Sequence, residues 1–228
     1  MQPGFFDLDE RYQQLEKLGD PLPKLAEVVD WEAFRPVLEK VHQKERKSNA
    51  GRKPYDVVLM FKVLVLQHFY NLADEQTEYQ IRDRYSFCRF LGLAPEGRVP
   101  DARTIWLFRE RLKELELVEE LFAELSLQIE TAGYIPRRGQ IVDASMVAAP
   151  RQRNGREDNA TIKAGETPED WKDEPAKLRQ KDVEARWTKK HGKTYYGYKN
   201  HISVDNEHKL VRHFEVTHAA VHDSRVFD

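Results

Sequence analysis

Asp143 follows Ile141 and Val142 in the run IVDASMVAA at 141–149, whose β-branched opening reads as a strand. On an alternating strand its carboxylate faces opposite to Val142. Carboxylates at strand ends commonly hold divalent metal, because hard oxygen ligands suit magnesium and the ion stabilises charge on a phosphoryl group. One carboxylate is not a site, and a turn or capping aspartate fits the same residue. Asp223, in VHDS, fits a helix cap better than a ligand. Six of the eight histidines fall at 191, 201, 208, 213, 218 and 222. None of them forms an HxH or HExxH pattern, so histidines facing water or nucleic acid are preferred over a zinc cluster.

Charge is uneven along the chain. Lys44–Lys53 holds five basic residues against one acid, and Arg186–His213 holds seven against two, while residues 1–40 carry nine acids against five bases. Solvated surface is the plain account of each basic stretch, and a phosphate-backbone footprint driven by counterion release is the other. On the helix expected over 102–114 and its continuation, Ile105, Phe108, Leu112 and Leu115 share one helical face. Arg103, Trp106, Arg109 and Lys113 fall in an adjoining arc of about 120° that is free to meet DNA. With a helix at 75–85 before it, this resembles a helix-turn-helix pair, although the connection 86–101 is longer than the usual tight turn. No GxxxxGK, GxGxxG or GxSxG motif is present.

Two different grammars position these residues. From 8 to 132 apolar residues recur at three and four spacing and no strand is expected. Pro54 is placed in the first turn of a helix over 55–72 that is apolar on most of its circumference and forms the axis of the region. Asp74 is placed to cap 75–85, Gly92 to end a short turn containing Phe87, Phe90 and Leu91, Asp101 to cap 102–114, and Gly133 to stop a helix over 116–131. After Gly133 the 141–149 strand is followed by a polar stretch, 150–190, expected as a loop or partly helical insertion. Strands at 195–205 and 210–219 then form a hairpin through Asn206–Lys209, and Ser224 or Asp223 would cap a helix starting near 225.

The 228 residues are 40% hydrophobic and 33% charged with a net charge of −2, enough for one or two domains with real cores and without global basicity. The single Cys88 excludes disulfide scaffolds and zinc ribbons, and a reducing cytoplasm fits it best. No secretory signal is apparent near the start. The longest apolar tract, 57–70, contains Lys62, Gln67 and His68 and is shorter than the ~18 residues of a membrane span, so no membrane association is expected.

Taken together, GRKPYDVVLMFKVLVLQHFYNLADEQTEYQIRDRYSFCRFLGL at 51–93, VPDARTIWLFRERL, IVDASMVAAPRQRN, ARWTKKHGKTYYGYKNHISVD and VTHAAVHDS resemble, in order and wording, bacterial insertion-sequence transposases of the group numbered five, in the DDE superfamily. The resemblance covers nearly the whole chain. It implies an α+β protein: an all-helical N-terminal domain, 1–133, that helps bind terminal inverted repeats in double-stranded DNA, then an incomplete ribonuclease-H-like α/β domain, 134–228. The second domain would supply the first three strands and carry the polar insertion at 150–190.

The resemblance further implies three acidic residues that bind two Mg2+ ions for strand cleavage and transfer. Asp143 matches the first acid and metal ligand. The second and third would follow VHDS and are absent from the sequence, so the chain is expected to be truncated relative to that pattern. Asp223 matches a recurring position and is given a site-shaping catalytic role. Arg103, Arg109 and Lys113 are the expected DNA-binding residues of the helical domain, and Lys189, Lys190, Lys193 and Lys199 the expected phosphate contacts of the second. A homodimer is compatible with this expectation. A noncatalytic DNA-binding regulator and an inert remnant are the alternatives.

Overall fold

The computed structural model describes residues 7–42, 53–134, 139–190 and 192–226. The chain divides into two compact units, Met1–Gly133 and Tyr134–Asp228. Most of the Lys44–Lys53 cluster, and His191, lie outside the described residues.

The first unit is helical: α1 (Asp7–Lys17), α2 (Leu22–Val28), α3 (Arg35–Leu38), α4 (Val57–Phe69), α5 (Asp74–Asp83), α6 (Tyr85–Leu91), α7 (Ala102–Glu114) and α8 (Val118–Thr131). Helix α4 begins later than its proline predicts. Asp56 is the cap, accepting from the Val58 and Leu59 amides at 2.9 and 3.1 Å, and Pro54 lies outside the helix. Asp101 caps α7 as expected, accepting from Thr104 N at 2.7 Å, and Gly92 ends α6 at φ 69°, a conformation costly for any residue with a Cβ. Asp74 caps nothing: it is the first residue of α5, and its carboxylate is engaged elsewhere.

Leu38, Val63, Leu66, Ile81, Phe87 and Ile105 are fully buried, and Trp31 packs edge-on to Phe90 at 5.4 Å. This apolar burial is the main stabilising term of the unit. Cys88 is buried there as a free thiol. Among the described residues no single helix is long and apolar enough to cross a membrane.

Among the described residues the second unit contains one antiparallel sheet with four strands, β1 (Gln140–Ala148), β2 (Arg186–Lys190), β3 (Lys193–Asp205) and β4 (Val211–His218). The architecture is therefore α+β, with one strand more than the three expected. The additional strand lies in the 150–190 stretch, which also forms α9 (Arg156–Lys163), α10 (Glu169–Lys172) and α11 (Pro175–Leu178). That stretch is polar overall, yet it buries Ile162, Trp171 and Ala185, and Tyr198 OH donates to Asp182 Oδ1 at 2.6 Å to tie it to the sheet.

Strand β3 is central. It pairs with β1 along one side and with β2 and then β4 along the other. Gly197 makes the first pairing sterically possible: its φ is +146°, and a Cβ there would sit 2.1 Å from Val147 O. At the far end of β3, Asp205 accepts from the amides of Glu207, His208 and Leu210 and thereby folds the hairpin turn. These N–H groups, His208 foremost, hold its carboxyl below the usual range.

Candidate functional site

Hydrogen bonds at the two ends of β1, Ala149 N to Tyr196 O and Asn206 N to Gly139 O, fix which amides face β3. The odd-numbered residues do, so the even-numbered amides, including Ala144, point to the open side of the sheet. Asp143 Oδ1 accepts from that Ala144 amide at 2.8 Å. The aspartate is exposed, stands opposite Ile202 in the register, and leans over the open edge. It is not sealed against apolar neighbours, and it lies on the strand adjoining the hairpin.

The alternation of β3 places Ile202 and Val204 on the face shared with Asp143, and Lys199, His201, Ser203 and Asp205 on the other. It is the polar row that is buried: His201 and Ser203 are 0% exposed and Asp205 1%. Each has a partner. Ser203 Oγ donates to Gln140 Oε1 at 2.8 Å, and His201 Nε2 is hydrogen-bonded to Thr217 Oγ1 at 2.9 Å. Lys199 Nζ donates to Val221 O at 2.6 Å and Asp223 Oδ1 at 2.9 Å.

Asp223 thus sits on the opposite face of the sheet from Asp143, and the two do not share a site. The Lys199 hydrogen bond lowers the Asp223 carboxyl, and Lys190 and His201 contribute in the same direction. Burial lowers His201, whose Nδ1 lies 3.8 Å from Asp223 Oδ1 without a hydrogen bond. The cap of the final turn, Asp223–Arg225, is neither Ser224 nor Asp223 but His222, which accepts from Ser224 N at 3.3 Å.

Of the four lysines, Lys189 and Lys193 are exposed at the β2–β3 hairpin, Lys190 is half-buried, and Lys199 is buried in the network above. A buried, paired Lys199 is a structural cation and not a free phosphate contact. In the helical unit Arg103 and Lys113 are exposed. Arg109 instead forks onto Asp74 with bonds of 2.7 and 2.8 Å and reaches Gln67 Oε1 at 2.9 Å. That fork explains why Asp74 does not cap α5, and it holds the Asp74 carboxyl below its ordinary range. Helices α5 and α7 do pack as a pair, with Ala102 N donating to Glu78 Oε2 at 2.9 Å, but α6 intervenes in the chain, so the pair lacks the tight turn of a helix-turn-helix.

Among the described residues no group of three His, Cys, Asp or Glu is placed to hold a metal ion. The polar alternation Lys199, His201, Ser203, Asp205 was visible in the sequence as an i, i+2 series. Its burial was not, because the partners of the row come from separate segments: Val221 and Asp223 after β4 for Lys199, Thr217 for His201 and Gln140 for Ser203.

The architecture is that of an all-helical unit followed by an antiparallel-sheet unit with an accessible aspartate on the first strand. Residues 10–111 match the family described as Transposase domain (DUF772), and residues 135–228 match the family described as Transposase DDE domain. The two matches support a DDE-superfamily transposase. No solved structure matches the chain.

Proposed function

We propose that this chain is a DDE-type transposase of the insertion-sequence group numbered five, that it binds double-stranded DNA at terminal inverted repeats, and that Asp143 is a carboxylate ligand for Mg2+. The observation that carries this reading is the accessible Asp143 on the first strand of the unit that matches the DDE domain. Its sheet is, in this reading, the opening part of a ribonuclease-H-like fold. The half-exposed Ile141, Val142 and Val147 on β1 favour a sheet that accepts further cover.

The fit to magnesium is partial. Mg2+ takes about six oxygen ligands, and a lone carboxylate supplies one or two. Three other aspartates of the sheet unit are committed elsewhere: Asp182 to Tyr198, Asp205 to its turn and Asp223 to Lys199. When bound, the ion would neutralise phosphate charge and activate water or a 3′-hydroxyl. No cleavage step follows from the described residues by themselves.

A second reading therefore has a specific observation behind it: with no group of three metal-binding side chains gathered around Asp143 among the described residues, the isolated chain occupies DNA without cutting it and acts as a noncatalytic regulator. Exposed Arg103, Lys113, Lys189 and Lys193 are the proposed phosphate contacts in both readings. Incubating the chain with repeat-ended duplex and Mg2+ separates them. Retarded but intact duplex is expected for the isolated chain. Nicking that disappears in Asp143→Ala would overturn that expectation and establish the chain as an enzyme unaided.

A further inference from the structure

Helix α7 presents two strips to solvent. Arg103, Trp106 and Lys113 lie on one. The other, formed by Thr104, Leu107 and Arg111, is one wall of a cleft of about 410 Å3. The remaining walls come from three separate places: His42 after α3, the Lys53–Tyr55 approach to α4, and Arg98 in the loop before α7. Buried Met60 and Phe108 form the floor, and Leu107, 49% exposed, forms an apolar lip. Among the described residues no Asp or Glu lines this cleft, whereas His42, Lys53, Arg98 and Arg111 all do.

The cations are held ready. The Arg98 guanidinium stacks 4.0 Å above the Tyr55 ring and donates to Lys53 O at 3.3 Å. Tyr55 OH is itself anchored to Val99 O at 2.7 Å. A guanidinium fixed in this way loses little freedom when it binds an oxyanion. Arg111 is only partly neutralised, by a 2.9 Å bond to the largely exposed Glu114.

We infer that this cleft is an anion site that seats a backbone phosphate of duplex DNA between Lys53, Arg98 and Arg111, with the adjoining sugar against Leu107. The inference rests on the DNA-binding reading and locates its main contact away from Arg109, one strip around α7. A phosphate contact positions the duplex without reading its sequence. The Lys53→Gln and Arg98→Gln variants, singly and together, should weaken binding equally to a duplex carrying the inverted repeat and to a scrambled duplex of the same length.

Fluorescence anisotropy of the full chain across a salt series reads the effect. Each lost contact should flatten the slope of log affinity against log salt by about 0.9. Circular dichroism checks that each variant remains folded. If Arg98→Gln disturbs Tyr55, Lys53→Gln, an exposed side chain, carries the test alone. A wild-type chain that binds steeply with salt, together with a double variant that binds identically, would overturn the cleft and leave DNA binding intact. A wild-type chain with no salt-dependent binding would sink the DNA reading and the cleft with it.

Discussion

The helical unit and the sheet unit solve burial in opposite ways. The first surrounds α4 with helices and seals an apolar core around Val63, Leu66 and Phe87. In the second, the central strand buries Lys199, His201, Ser203 and Asp205, while Val147 and Val216 remain 50% and 59% exposed. The first core completes itself through apolar contact. The second is held by a chain of hydrogen bonds, each of which is costly to leave unmade, and its apolar surface is still available to cover.

The largest expected effect lies in the sealed core. Phe87→Ala should cost the helical unit about 3–5 kcal/mol in urea unfolding, because it leaves a cavity that surrounding rings fill only partly. A loss below 1 kcal/mol would mean the core is looser than drawn. Next, Gly197→Ala should destabilise the sheet unit by about 1–3 kcal/mol, since a methyl group collides with Val147 O in a backbone conformation that resists side chains. Hydrogen exchange at β1 amides should accelerate before exchange in the helical unit does. Unchanged β1 protection would break the proposed close approach.

Arg109→Gln should cost the helical unit about 1–2 kcal/mol after discounting for partial exposure, through loss of the Asp74 fork. Its salt-dependent DNA binding should change less than that of Lys53→Gln, and the reverse order would return Arg109 to the DNA surface.

Acidification sharpens the comparison further. His201 is lowered by burial, so the neutral ring contributes stability that is fully present above the unfolded value of 6.5 and is lost as pH falls toward the folded value. The sheet unit should therefore weaken as the pH falls below about 6.5 while the helical unit holds, as followed by hydrogen exchange. An identical profile in His201→Gln would assign the effect elsewhere. The smallest change is expected for Val216→Ser, within about 0.5 kcal/mol, because the residue is already more than half exposed.

Much of the helical half was legible because caps and periodicity are local. Asp101 and Gly92 act where the sequence places them. Asp74 does not, because a capping aspartate and an ion-paired one look alike until Arg109, 35 residues away, is brought against it. Strand β2 was hidden in a polar stretch whose few buried residues, such as Trp171, are widely spaced. The strand bearing Asp143 was readable, whereas the separation of Asp143 from Asp223 depends on how the chain returns after β4. The cationic cleft was not readable, since its four basic residues come from distant segments.

The central claim is that Asp143 is the carboxylate of this chain that meets a divalent cation. Titrating the isotope-labelled chain with Mn2+ and following its amide signals tests it directly. The account predicts that the signals of Ala144 and Ser145 broaden first, and that Asp143→Asn abolishes this. Broadening centred on Asp223, or broadening at Asp143 no greater than at an exposed acid such as Glu157, would contradict it.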